Sequence, residues 1–271
     1  SVLKFVTSAY LYVKNPDYQE GPLTHSRTQI ISNKSLARLA KDIDLYQYII
    51  SGVTPRRFWR PPNFQCTSDE SKKAKQWLTY HSIANNTLAD AMESALGAAF
   101  LSGSLNGVVR AIRQFDIPMG IKTWTDIHAI YQLSPKSTLI SWQIDLEALM
   151  HRSASNGTYE RLEFLGDALL DYYVTTYIYQ GHPTATPSIL HSLRKSSVNH
   201  HILSVICLKM KLHKHIVYSA GSIAAAVMKF EYDHQRVVDS GEDVDEYWLA
   251  LDPPKMLSDV VESLLGAMLV D

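Results

Sequence analysis

The chain has 271 residues, 46% hydrophobic and 20% charged, the balance of one large or two ordinary globular domains, which excludes a disordered or fibrous protein. A formal charge of −1 gives no overall pull toward nucleic acid, so any such contact must come from local basic groups. Cys66 and Cys207 are the only cysteines, too few for a disulfide framework or a thiolate metal site, and a reducing compartment, cytoplasmic or nuclear, is expected.

In chain order, Ser1-Val2-Leu3-Lys4-Phe5-Val6 has neither a basic leader nor a cleavage site, so it does not read as a signal peptide. It also lacks an initiator methionine and opens in mid-element, and a piece of something longer is expected. No apolar run reaches membrane-spanning length, and no membrane partner is expected. Arg56-Arg57-Phe58-Trp59-Arg60 interleaves aromatics with cations, and Lys72-Lys73-Ala74-Lys75 and Lys209-Met210-Lys211 with Lys214 are further basic groups. Each alone is an ordinary solvated surface; together they suit phosphates. Arg60 to Ser71 has loop composition.

Tyr159 to Asp171 predicts an amphipathic helix, with Leu162, Leu165, Leu169 and Tyr172 at helical steps on a core face. Glu160, Glu163, Asp167 and Asp171 are spaced to line up one per turn, where like charges repel by roughly 0.2–0.5 kcal/mol per pair. Only Arg161 is nearby to offset them. Gly166, about 1 kcal/mol worse than alanine in mid-helix, predicts that something approaches that backbone closely or packs tightly against it. A solvated acidic face is the plain alternative, but a bound divalent cation would turn the repulsion into attraction. His200-His201 and His213 with His215 have no nearby partners in sequence, and no zinc site is expected. Asp239 to Glu246 reads as a solvated acidic loop.

Asp252-Pro253-Pro254 supplies a cap and first-turn prolines to a helix with Met256, Leu257, Val260, Val261, Leu264 and Leu265 on its apolar stripe. Asp259 and Glu262, three apart, share a face.

An internal repeat organises all of this. Ser1 to Phe5 followed by Tyr10-Leu11-Tyr12 matches Ala168 to Tyr172 followed by Tyr177-Ile178-Tyr179, at an offset of 167; Pro16, Leu23 and Arg27 match Pro183, Leu190 and Arg194 at the same offset. Asn33 matches Asn199 at 166, and Leu88 to Ala98 matches Leu257 to Ala267 at 169. Asp90 and Glu93 are thereby the counterparts of Asp259 and Glu262. Thr87 to Asp90 has a rival reading as a variant capping box, which weakens in the second copy, where Met256 replaces the threonine. The second copy thus offers Glu163 and Asp167 from one helix and Asp259 and Glu262 from another, an all-oxygen set that suits magnesium or manganese and phosphodiester hydrolysis.

Glu160-Arg161-Leu162-Glu163-Phe164-Leu165-Gly166-Asp167-Ala168 resembles the signature segment of ribonuclease III, and Asp259-Val260-Val261-Glu262-Ser263 resembles its second acidic motif. Two such domains in tandem resemble the C-terminal part of Dicer and Dicer-like proteins, over nearly the whole chain. The resemblance implies an all-α fold of two domains, 1–120 and 139–271 with a connector at 121–138, paired within the chain as a pseudo-dimer. It implies metal ligands Glu163, Asp167, Asp259 and Glu262, with Lys255 beside them and Glu160 at the interface or near substrate. In the first domain it implies only Asp90 and Glu93, because the segment for the other two would end just before Ser1; Asn86 stands where Lys255 stands in the second. Leu146 to Leu149 and His151-Arg152-Ser153 resemble the second domain's first helix and turn, after a short lead-in from Trp142. The implied activity is cleavage of double-stranded RNA, read by shape and backbone, into short duplexes for RNA silencing, with other silencing proteins as partners. The rival is an inert pair of such folds serving as an RNA-binding or dimerisation module.

Overall fold

In the computed structural model the described residues are 1–49, 83–127, 146–154, 159–240, 248 and 251–270. The basic groups at 56–60 and 72–75, Cys66, the loop at 60–71, Trp142, connector residues 128–138 and acidic residues 241–246 lie outside them. Among the described residues the fold is all-α, without a strand. The helices are α1 (Val2–Lys14), α2 (Glu20–Ile31), α3 (Asn33–Asp42), α4 (Asn85–Gln114), α5 (Glu160–Gly181), α6 (Pro187–Ser197), α7 (His200–Lys209), α8 (Gly221–Ser240) and α9 (Lys255–Val270).

The repeat is visible in the backbone. Ser32 caps α3 by accepting from the Ser35 N–H, and Asn199 caps α7 by accepting from the Ile202 N–H. Ser32 and Asn199 stand at the repeat offset, so the Asn33–Asn199 match is one position out of register: the capping role, not the asparagine, is what repeats. Asp44 and Lys211, at the same spacing, both adopt the left-handed conformation (φ 55° and 60°) before a short 3₁₀ turn.

The chain divides into two compact units, Ser1–Arg27 with Trp124–Asp271, and Thr28–Thr123. In the first, α5 and α9 cross closely because Gly166 and Gly266 face each other's helix; a Cβ on Gly166 would fall onto the Glu262 carbonyl oxygen, and one on Gly266 onto that of Leu162. This is the close approach that a mid-helix glycine predicts. Leu257 and Val260 of α9 are fully buried against Cys207 of α7 and Val227 and Phe230 of α8. Burying a side chain of this kind stabilises by roughly 1.5–3 kcal/mol. α9 starts at Lys255, so Pro253 and Pro254 precede its first turn rather than occupy it; the Leu257 N–H donates to the Pro254 carbonyl at 3.0 Å.

α1 lies along α5, with Phe5, Val6 and Ala9 buried and the Phe5 ring stacked on Tyr172. The acidic stripe of α5 is therefore not a fully solvated face: Asp171 is buried, and Glu160, Glu163 and Asp167 are partly buried. Arg161 does not offset it either: its guanidinium donates to the Tyr12, Asn15 and Tyr18 carbonyls and lies over the Tyr12 ring. Long-range cations do that work, as described below.

In the second unit Leu36, Ala37 and Ala40 of α3 and Leu88, Met92 and Leu96 of α4 are buried. α4 starts at Asn85 with Ala84 as its cap residue, so Thr87 and Asp90 lie inside the helix and form no capping box. The helix breaks at Gly103 and Ser104 (φ 53°). By length and composition α4 is apolar enough to cross a bilayer, contrary to the expectation that no run reaches that length; a core helix has the same character, and Leu88, Met92 and Leu96 of α4 are buried.

Candidate metal centre

Glu163 projects from the first turn of α5, and Asp259 and Glu262, one helical turn apart, project from α9. The glycine crossing brings the two helices close enough that one carboxylate oxygen from each of Glu163, Asp259 and Glu262 lies within 4.8 Å of the others. Lys255 supplies the nearest cation, its Nζ 3.3 Å from Glu163 Oε1 and 3.2 Å from Asp259 Oδ2. Its side chain is exposed, so its contribution is screened. The Ser258 hydroxyl donates to Asp259 Oδ1 at 3.3 Å.

These carboxyls repel one another in a half-buried setting. Burial, then the charges of Asp167, Glu163 and Asp259, pushes Glu262 up to about 8. Burial and Asp259 push Glu163 up to about 7 against the opposing pull of Lys255. Burial raises Asp259 as well, despite Lys255. Lys255 is itself raised: Asp259 and Glu163 together outweigh the effect of its burial. Three oxygen donors that resist ionising together suit a hard divalent cation, whose charge removes the repulsion.

The other implied ligands are placed differently. Asp167, a turn beyond Glu163, is paired to Lys4 (Nζ to Oδ2, 2.9 Å), with Arg27 at 4.0 Å. Its carboxylate is outside the group of three, although its charge reaches Glu262. Glu160 is half-buried, 3.5 Å from Arg152 Nη1. Asp90 and Glu93 are exposed on α4 in the other unit, and among the described residues no further acid or imidazole joins them in a metal-binding group. Asn86 accepts a hydrogen bond from the Asn33 amide at 3.4 Å, whereas its counterpart Lys255 reaches acids. The described histidines form no metal group: His200 and His201 lie with ring centroids 4.0 Å apart, and His213 is buried with Nε2 3.3 Å from Glu231 Oε1. Sequence reading missed Lys4, Arg27 and Arg194 as partners of the acidic helix; the recurrence of Arg27 and Arg194 at the repeat offset was the available signal.

The raised carboxyls set a pH dependence. Below the ordinary glutamate value of 4.5, Glu163 and Glu262 are protonated whether the chain is folded or not. The stabilisation they give is fully present there and is lost as pH rises through about 7 and about 8. Magnesium binds the ionised form, so its stabilising effect should be larger at pH 8.5 than at pH 6, reaching roughly 5–10 °C in Tm at saturating ion. Thermal melts with magnesium and with chelator at the two pH values check this; equal shifts would count against the site.

The ribonuclease III domain family matches residues 1–104 and 160–271. The chain is 28% identical to Protein Dicer of Schizosaccharomyces pombe over 99% of its length and 21% of the relative's. It is 28% identical to Endoribonuclease Dicer homolog 3 of Arabidopsis thaliana over its full length and 20% of the relative's. It thus spans about a fifth of these relatives. A solved structure of Giardia Dicer is similar over the whole chain and 51% of that structure, at 14% identity and a TM-score of 0.47. With the family matched over both segments, and with the acids of its two motifs brought together from α5 and α9, the chain belongs to the ribonuclease III family and carries that domain twice.

Proposed function

We propose that the chain is a divalent-metal-dependent endoribonuclease that hydrolyses phosphodiester bonds of double-stranded RNA, with its working site in the second copy. The observation that carries this reading is the convergence of Glu163, Asp259 and Glu262 from two helices into one half-buried group of oxygens. These three would hold magnesium or manganese, with Asp167 one turn away. When bound, the ion supplies Lewis acidity, lowering the pKa of a water and neutralising charge on the phosphate. The chain's own part is to fix the oxygens through the glycine crossing. Lys255, exposed beside Glu163 and Asp259, is placed to meet an incoming phosphate. Recognition of an A-form duplex by shape and backbone would rest on local basic groups, since the chain carries a formal charge of −1. Processing of RNA into short duplexes for silencing, antiviral defence included, in the cytoplasm or nucleus and alongside other silencing proteins, belongs to the same proposal.

The test is cleavage of a duplex RNA labelled differently on its two strands, with magnesium, with manganese and with chelator. One strand should be cut, and only with the ion. Duplex binding that is retained without any cutting, and is indifferent to the ion, would instead support the inert-module reading.

A further inference from the structure

Lys4 and Asp171 occupy the same position in the two copies, at the repeat offset, and they touch: Lys4 Nζ lies 2.6 Å from Asp171 Oδ2. The next position behaves alike. Phe5 and Tyr172, also equivalent, stack with ring centroids 4.9 Å apart and planes 17° from parallel. In a two-fold pairing residue i meets j while j meets i, so only residues on the axis meet their own equivalents. The α1–α5 joint is therefore a local two-fold between the copies, with these two positions on its axis.

An axial position has a property no other has: if two like copies paired, it would face itself. Asp171 is buried, at 8% side-chain exposure, so Asp171 against Asp171 would set two carboxylates together with little water to screen them. Lys4 against Lys4 would do the same with ammonium groups. Within the chain the position carries opposite signs. The neighbours reinforce this: Arg194 Nη1 is 2.7 Å from Asp171 Oδ1, and Lys4 also reaches Asp167 at 2.9 Å. Burial pushes the Asp171 carboxyl up, but Lys4 and Arg194 outweigh it and hold it below the ordinary aspartate value.

We infer that the Lys4–Asp171 pair determines partner choice: it admits the second copy's α5 to the first copy's α1 and rejects a like copy from another chain. The attraction selects the right partner, and self-repulsion at the same position excludes the wrong one. The aromatic stack beside it supplies affinity without discrimination, since two phenylalanines or two tyrosines would stack as well.

The test uses the whole chain in two charge-reversed forms. Lys4→Asp sets three acids together, and Asp171→Lys sets Lys4, the new lysine and Arg194 together; either change should lower Tm by roughly 5–10 °C. In each form every arrangement of the joint, within the chain or between two chains, sets like charges together. Mixed, they can exchange partners, because Lys4 of one then meets Asp171 of the other as in the unaltered chain, while the second joint carries the reversed pair. Native mass spectrometry of the mixture should show a one-to-one dimer that neither variant forms alone, with Tm partly recovered. A mixture that stays the sum of its components would overturn the inference, as would either variant dimerising alone to the same extent. Should a reversal fail to fold, the milder Lys4→Met, Asp171→Asn and the double variant form a cycle. Strictly additive losses in Tm would then show that the two side chains do not select one another.

Discussion

Glu262→Gln should lower metal-dependent cleavage by at least about 10²-fold while leaving duplex binding nearly unchanged. Groups that merely orient metal ligands cost about 10–100-fold when removed, and a direct ligand should cost no less. The substitution keeps the shape and removes the charge. It also removes the most strongly perturbed acid of the three, pushed to about 8 by burial and by Asp167, Glu163 and Asp259. Stability should therefore move against activity. Above pH 8 without metal, the glutamine form is spared an ionised carboxylate among its like, and its Tm should equal or exceed that of the unaltered chain. Below pH 4.5, where Glu262 is protonated in the folded and the unfolded chain alike, the two should melt together. The measurement is the strand-labelled cleavage assay combined with melts at both pH values, with and without magnesium. Unaltered cutting of the strand that the parent chain cuts would remove Glu262 from the site.

The candidate site was legible because its acids obey local rules. Asp259 and Glu262 announce a shared face by their spacing, Gly166 announces a close approach, and the repeat supplies the second helix. What was not legible is how the charge is balanced. Within a helix only residues three or four apart are neighbours, which made Arg161 the obvious cation. In the fold it serves three carbonyls at the end of α1 and in the turn that follows, and the stripe is balanced by Lys4, Arg194 and Lys255, each on another helix of the same unit. No helical periodicity can show a partner that lies a whole repeat away in the chain. The repeat register shows the same limit. Matching Asn33 to Asn199 by identity slipped one position, because Ser32 and Asn199 do the same job with different side chains. The break in α4 at Gly103 and Ser104 does fall on a Ser-Gly-Ser breaker signal in the sequence.

Gly166→Ala should cost about 3–5 kcal/mol, a large fraction of the ~5–15 kcal/mol that holds a domain together. Helix propensity alone predicts the opposite sign, a gain of up to about 1 kcal/mol, so the experiment separates local from tertiary control. The added Cβ would overlap the Glu262 carbonyl and lie 2.9 Å from the Gly266 nitrogen. Ordinary overpacking costs about 1–3 kcal/mol because side chains can turn aside; here the obstacle is backbone, and α9 as a whole must retreat. Gly97→Ala is the control, since it is the repeat counterpart of Gly266 and no described atom would lie within 4 Å of its Cβ. It should hold or raise the urea midpoint, while Gly166→Ala lowers it sharply. A small loss for Gly166→Ala would mean that the helices part easily, and the consequence would then pass to the site. The carbonyl that must move belongs to Glu262 itself, so any retreat of α9 draws that carboxylate away from Glu163. A folded Gly166→Ala chain should therefore keep its helices and lose the magnesium-induced rise in Tm.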